Sequence, residues 1–372
     1  MTAFTEFEAG HRDLVTVTKF NFYGNRILTA SADHRVKVWD QKDDGWELTD
    51  TWRAHDAEIR DAAWNGPFTG QHIGTVGEDM KFKLWQEDVT QSRNSGRRFR
   101  NIFRLTSPIR TPYVSLDFRN IDLESWLALI TRDGLLTVLE PVGADNLSEW
   151  QQLDQFRVCS EPSRGDETSF KVQFHHDPMD MTHMVMPSWD SKSLSLVVAA
   201  MDTVKMYRMA ANRKFYHAIE LTGHTGLVRD IAWANGSVRG FDIIGSGSKD
   251  GTIRIFEIYT SVTNSPSSSQ NGSTNNVASR TSTQSQSGIG SALASQTTGT
   301  LVDSRKNSES PFKHTFREVA SIDSKHLDVW QVQFSHAGDC LLSSGDDGSL
   351  RFWKRATSGD WLEFAETSMD NS

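Results

Sequence analysis

Cysteine is nearly missing from this sequence. Cys159 and Cys340 are its only two, too few for the disulfide framework of a small secreted fold, and no basic-then-apolar leader stands at Met1–Gly10. Both thiols are expected to be free and reduced. Positive charge is also scarce: 39 Lys and Arg against 48 Asp and Glu leave a formal net charge of -9. General nucleic-acid binding rests on cations that neutralise phosphates, so this balance argues against it and favours a basic partner. The longest apolar run, Leu194–Met201, is far shorter than the roughly 20 residues that cross a bilayer. No membrane span is expected. Nucleophile elbows, dinucleotide fingerprints and carboxylate pairs on a plausible scaffold are absent as well. Gly245-Ser-Gly247-Ser-Lys-Asp-Gly251 has the wrong spacing for a phosphate loop and leads into a hairpin instead of a helix. No catalytic, cofactor or metal site is expected, and the chain reads as a non-enzyme.

What is abundant is aromatic area. With 12 Trp and 20 Phe, a modest hydrophobic fraction still supplies a large core. The aromatics recur in one phrase: a turn Asp, often followed by Gly, then alternating residues that end in a bulky apolar one. Copies run from Asp33 to Trp39, Asp79 to Trp85, Asp133 to Leu139, Asp250 to Phe256 and Asp347 to Trp353, always six residues apart. A sixth, Asp202 to Tyr207, is one residue shorter. Period-2 alternation behind a tight turn is a hairpin signal, so each copy marks the turn and third strand of a four-stranded unit. Second strands precede the turns. Six further alternating stretches lie upstream as innermost strands: Val15–Phe22, Ile59–Trp64, Tyr113–Phe118, Phe170–Phe174, Leu227–Trp233 and Val329–Phe334. Fourth strands follow each copy, expected to be the shorter and more polar outer edges.

Four copies carry a His ahead of the inner strand: His11, His55, His224 and His326. Here the chain resembles the WD-repeat family, in which His, Asp, a Ser/Thr and the strand-end Trp form a buried hydrogen-bonded tetrad. Only the first unit is read as complete, with His11, Ser31, Asp33 and Trp39. Gly77 stands at the hydroxyl position in the second unit and Gly345 in the sixth, and Phe256 replaces Trp in the fifth. A His and Asp pair also suits general-base chemistry. Repetition in several units argues for a structural role instead, because a catalytic pair occurs once per site. The fold class is therefore an all-β, six-bladed WD-repeat propeller, a single domain over 1–372, with blades near 11–52, 55–105, 108–158, 167–221, 224–320 and 326–366.

Residues 260–310 are rich in Ser, Thr, Asn and Gln and lack aromatics. They are read as a disordered loop within blade five, carrying Ser265-Pro266 and Ser310-Pro311 as candidate phosphorylation sites. Arg93, Arg97, Arg98, Arg100 and Arg104 form a basic stretch read as a solvated connection. His175, His176, Asp177 and His183 offer donor atoms at a spacing that fits no tight zinc pattern.

Several stretches are similar to the SEH-type branch of WD-repeat nucleoporins, sister of the small propeller of the outer COPII coat. The opening His11-Arg-Asp13-Leu-Val15 with Phe20-Asn-Phe22-Tyr23-Gly24 resembles both sisters. Asn146-Leu147-Ser148-Glu149-Trp150 and Val329-Trp330-Gln331-Val332 with Ser343-Ser344-Gly345-Asp346-Asp347-Gly348 look like the nucleoporin, as does the atypical fourth blade. The resemblance implies a structural scaffold in the Y-shaped outer-ring coat of the nuclear pore, supporting mRNA export and protein import. A helical scaffold nucleoporin would donate a blade in trans to an open ring, with other Y-complex nucleoporins nearby. A second role in the SEA nutrient-signalling complex, at the vacuolar or lysosomal periphery, is implied too. No seventh repeat exists in the sequence, so the edges of blades one and six would be the docking surface, and Val15, Val17, Phe20, Leu350, Phe352 and Trp353 are the residues expected there. The alternatives are a COPII-type coat propeller, a closed adaptor that reads peptides, or a six-bladed enzyme.

Overall fold

Each Asp-led hairpin joins the second and third strands of a four-stranded antiparallel sheet, and the described residues form six such sheets. The computed structural model describes residues 7–368 except 44, 67–70, 178–179, 236–238 and 264–309. Blade 1 is β1 (Val15–Phe20), β2 (Arg26–Ser31), β3 (Arg35–Lys42) and β4 (Gly45–Arg53); blade 2 is β5 (Ile59–Trp64), β6 (His72–Gly77), β7 (Lys81–Glu87) and β8 (Phe99–Thr106). Blade 3 is β9 (Tyr113–Ile121), β10 (Glu124–Thr131), β11 (Leu135–Gly143) and β12 (Asn146–Arg157). Blade 4 is β13 (Phe170–Phe174), β14 (Ser195–Ala200), β15 (Thr203–Met209) and β16 (Phe215–Leu221), with a short helix α1 (Met181–Val185) between its first two strands. Blade 5 is β17 (Val228–Ala234), β18 (Asp242–Ser248), β19 (Thr252–Val262) and β20 (Phe312–Asp323); blade 6 is β21 (Val329–Phe334), β22 (Cys340–Gly345), β23 (Ser349–Arg355) and β24 (Trp361–Ser368). Within every blade the strands pair in chain order.

The turn Asp is followed by a residue in the left-handed region: His34 (φ 70°), Met80 (φ 64°), Gly134 (φ 80°), Gly251 (φ 77°) and Gly348 (φ 68°). A residue without Cβ meets this at no steric cost, which is why Gly stands there in three copies. Blade 4 reaches the same reversal with one residue fewer, because Ala200 pairs directly with Thr203 and the left-handed residue is Met201 (φ 61°).

The outer strands differ from expectation. β12 and β20 are 12 residues each, the longest strands among the described residues. The rim, unlike the crowded centre of a propeller, leaves a hairpin room to extend. The same extension moves the bounds expected for the blade-five loop. Thr260, Ser261 and Val262 pair with His314, Lys313 and Phe312, and Thr263 donates its amide to the Pro311 carbonyl at 2.7 Å. The remainder of that loop, with Ser265-Pro266, lies outside the described residues.

Inner strands pack on one another in order, β1 on β5, β5 on β9, β9 on β13, β13 on β17 and β17 on β21. Five apolar clusters fill these five junctions, one for each neighbouring pair of blades. They bury side chains such as Leu28 and Ile59 between blades 1 and 2, and Ile253 and Val332 between blades 5 and 6.

A buried polar cluster ties the atypical segment of blade 4 to blade 5. Arg208 on β15 donates to Asp180 at 2.6 Å and to Asp242 on β18 at 2.8 Å, and is itself fully buried. Asp180 also accepts the Thr182 amide and so caps α1. Trp189 packs edge-on against Phe312 at 5.0 Å, and Ser310 donates to the Tyr216 hydroxyl at 2.8 Å. Beside them His314 is held down to about 3, by burial first and then by the Arg208 cation. An unfolded His takes up its proton near pH 6.5. The unfolded chain therefore binds more protons than the folded one between these values, and stability is full above pH 6.5 and falls as pH drops towards 3. Thermal unfolding followed from pH 7.5 to 4.5 should show a declining midpoint, and His314→Gln should flatten part of that slope.

Candidate partner interface

Three complete tetrads stand in the described residues, and their geometry corrects the expected hydroxyl. In blade 1, His11 contacts Asp33 through Nδ1 at 3.0 Å and Thr29 Oγ1 through Nε2 at 3.0 Å, and Trp39 Nε1 donates to the same Thr29 oxygen at 3.1 Å. Ser31 is not the bridge. Its hydroxyl donates to the Asp13 carbonyl and accepts the Asp33 amide, both at 3.0 Å. Blade 2 repeats the arrangement with His55, Asp79, Thr75 and Trp85, and blade 6 with His326, Asp347, Ser343 and Trp353. Blade 5 has His224, Asp250 and Ser246, with Phe256 in place of Trp. Thus Gly77 and Gly345 are not missing hydroxyls. A Cβ on Gly77 would sit 2.8 Å from the His55 ring, and one on Gly345 would sit 2.5 Å from His326, so the imidazole fills that space. The bridging position lies two residues earlier, on the same face of the strand.

Burial lowers the affinity of His11 and of His224 for protons despite their Asp partners. Burial raises Asp79, but His55, the Asp56 amide and the Lys83 cation together outweigh it and hold the carboxyl down to about 2. Thr29→Val should leave a buried donor, Trp39 Nε1, and a buried acceptor, His11 Nε2, without a partner and cost about 2–3 kcal/mol, while Ser31→Ala should cost about 1 kcal/mol. Urea denaturation of the two variants checks which hydroxyl is the hub.

Tetrads face the preceding blade, and among the described residues no blade packs ahead of blade 1. Among the described residues no apolar cluster joins blade 6 to blade 1, and β21 has no pairing with β1 comparable to those along the rest of the ring. The consequence shows position by position. Val15 pairs with Ser31 as Ile59 pairs with Gly77, Val228 with Ser248 and Val329 with Gly345. Ile59, Val228 and Val329 are fully buried in junctions, yet Val15 is 37% exposed. Phe20, the counterpart of Trp233 at 6%, is 59% exposed. On the far side, the residue before the strand-end aromatic is fully buried in the other five blades, as Val38, Leu84, Val138, Met206 and Ile255. In blade 6 it is Phe352, only half-buried, with Leu350 and Leu342 half-buried beside it and the ring of exposed Phe364 tilted against it at 6.0 Å.

Four of the six expected docking residues thus face the open junction: Val15 and Phe20 from blade 1, Leu350 and Phe352 from blade 6. Val17 and Trp353 do not. The bulge between Val15 and Val17 turns Val17 into the junction with blade 2, and alternation turns Trp353 into that with blade 5.

Sequence reasoning missed a second device at the inner edge. Asp61 accepts the Leu116 amide of the next inner strand at 3.2 Å, Asp117 accepts that of Phe174 at 2.7 Å, Gln173 that of Trp233 at 2.9 Å, and Asp230 that of Val332 at 3.1 Å. Each inner strand from β5 to β17 therefore holds its successor by a side-chain oxygen. Gln331 pairs with Ser344 just past a bulge, as Asp230 pairs with Gly247 and Asp61 with Val76. It ends this ladder exposed, as does Gln333. The only sequence signal was a polar residue recurring on otherwise apolar inner strands. These carboxylates line a cavity among the inner strands with Lys19 and Lys171. Lys171 bonds to Asp61 at 2.9 Å, and although burial opposes its charge, Asp61 and Asp230 hold it protonated.

The other singled-out groups are engaged elsewhere. Arg93 pairs with Asp40 and Glu47, and Arg98 with Glu87, which also holds the buried Arg26. His175 lies 3.7 Å from both Asp180 and Asp242, His176 bonds to Asp117, and His183 to the Trp189 carbonyl.

Six four-stranded blades with WD-type tetrads define a WD-repeat β-propeller, and the WD domain, G-beta repeat family matches at residues 4–40, 216–257 and 317–354. Over nearly its whole length the chain is similar to Nucleoporin SEH1 of Saccharomyces cerevisiae, with 31% identity over 365 residues that cover 95% of this chain and 96% of the yeast protein. Nucleoporin SEH1 of Chaetomium thermophilum is 27% identical, covering 98% and 94%, and that of Homo sapiens 28%, covering 95% and 85%. The chain belongs to the SEH1 nucleoporin family. A WD-repeat nucleoporin of this kind is a structural, non-enzymatic protein of the nuclear pore. No helix among the described residues is long and apolar enough to cross a membrane.

Proposed function

We propose that this nucleoporin is a scaffold subunit of the Y-shaped outer-ring coat and works as a socket. A helical scaffold nucleoporin inserts a blade between blades 6 and 1, and the closed ring then supports mRNA export and protein import within the coat. The carrying observation is the asymmetry of the junctions. Five are filled by apolar clusters, whereas Val15, Leu350 and Phe352, at positions buried elsewhere in the ring, and Phe20, at a position buried in blades 3 and 5, keep access to solvent. Unpaired apolar faces of this kind favour addition of a β-element. Gln331 and Gln333 extend the reading, since a donated inner strand would present amides to them. A second placement, in the SEA complex at the vacuolar or lysosomal periphery, would use the same socket.

The test is co-expression. The chain alone should expose apolar surface, bind a hydrophobic dye and self-associate. With the helical nucleoporin it should elute as a stoichiometric complex, stabilised by roughly 4 kcal/mol when the partner stands a thousandfold above its dissociation constant. A chain that is monomeric and equally stable alone would refute the socket.

A further inference from the structure

The open face of blade 1 is not bare, because the segment before its tetrad His lies across it. Lys37 Nζ donates to the carbonyls of Ala9 at 2.7 Å and Gly10 at 2.6 Å. Phe7 meets the tetrad Trp39 edge-on at 5.3 Å and Trp46 at 6.3 Å. The next joint along the ring has the same parts. Lys83 Nζ donates to the carbonyl of Ala54, just before His55, at 2.6 Å, and Trp52 meets the tetrad Trp85 at 5.7 Å and Phe99 at 4.5 Å.

These are corresponding positions. Trp39 pairs with Leu48 and Gln41 with Trp46 across blade 1, as Trp85 pairs with Asn101 and Glu87 with Phe99 across blade 2. Trp52 belongs to β4, the outer strand of the preceding blade. Phe7 therefore sits where the outer strand of a blade ahead of blade 1 belongs. The family match has the same phase: it starts in the outer strand of the preceding blade at 216 (β16) and 317 (β20), and seven residues ahead of His11 at residue 4. Trp52 is 5% exposed and Phe7 36%, as expected of a strand whose own sheet is not yet present.

We propose that the segment ending at Gly10 is the outer strand of the seventh blade, already docked on blade 1, so that the composite blade takes this strand from the chain itself and its inner strands from the partner. This rests on the socket reading. It gives the partner a ready strand edge to pair with and makes closure a joint act of both chains, as in outer strands that clasp a closed ring.

Hydrogen exchange on the co-expressed complex with the helical nucleoporin separates the two ideas. In one sample, amides at Phe7–Ala9 should exchange within about tenfold of those at Thr51–Arg53, the equivalent stretch of β4. Phe7→Asp should raise the dissociation rate of the complex by about tenfold or more, and Phe7→Leu should largely restore it. If the edges at Val15–Phe20 and Ser349–Trp353 are protected while Phe7–Ala9 exchanges at unstructured rates, the strand assignment is wrong and the socket stands. If none of these stretches is protected in the complex, both fall.

Discussion

Phe352→Asp should weaken binding of the helical nucleoporin by at least about a hundredfold while leaving the fold of the chain nearly unchanged. Phe352 stands at a position where Val38, Leu84, Val138, Met206 and Ile255 are fully buried in a junction. Once a seventh blade packs there, a carboxylate would have to lose its water against apolar side chains with no cation beside it. Desolvating an unpaired charge costs several kcal/mol, and about 2.7 kcal/mol already corresponds to a hundredfold in affinity. In the chain alone Phe352 is only half-buried and touches Phe364, so the same carboxylate stays hydrated. Phe352→Leu should remain within a few-fold of the parent. Leu123→Asp, on an equally apolar residue that is 59% exposed but lies on the turn between β9 and β10, should leave affinity unchanged. Calorimetry or interferometry on the three variants, with circular dichroism as the folding control, checks the set. Loss of binding in Leu123→Asp, or none in Phe352→Asp, would remove the socket from blade 6.

Alternation told that Leu350 and Phe352 share a face of β23, but alone it would set Val15 with Val17 and apart from Phe20, since the bulge between Val15 and Val17 leaves no mark in the sequence. Alternation could not say which of the two faces lies against a neighbour. That depends on the order of blades round the ring and on tetrads facing backwards, so Val17 and Trp353, one step out of phase, were grouped with the docking residues although they close junctions with blades 2 and 5. The tetrad failed by a similar slip. Ser31 and Thr29 point to the same side, two residues apart, and nothing local distinguishes a hydroxyl that reaches His11 from one that braces the Asp33 turn. Only the imidazole packed over Gly77 fixes the phase. The N-terminal strand was hidden for another reason. Phe7 has no hairpin of its own in this chain, so no repeat announces it.

Least legible was the cluster round Arg208, and it carries the largest stability effect expected. Its members lie far apart in sequence, and adjacent His175 and His176 suggest donor atoms for a metal. The guanidinium instead bridges Asp180 and Asp242 and supplies the positive charge that a metal would have to provide there. Burial pushes Asp180 up, but the Arg208 cation together with the hydrogen bonds from Ser195 and the Thr182 amide outweighs it and keeps the carboxylate ionised, while burial keeps His175 neutral. Arg208→Leu should therefore cost about 3–5 kcal/mol, because it strands a buried charge, loosens the cap on α1 and unties β15 from β18. Arg208→Lys should fall between, since one ammonium cannot span both carboxylates with the same geometry. The pH dependence identifies the cause. Without the cation, the folded-state pKa of Asp180 rises above its unfolded value, the folded variant then binds more protons than the unfolded chain, and its stability recovers as pH falls. The deficit of Arg208→Leu measured by urea denaturation should thus be larger at pH 7 than at pH 5. A deficit equal at the two pH values would mean that lost packing, which binds no proton, and not the stranded carboxylate, is what the substitution exposes.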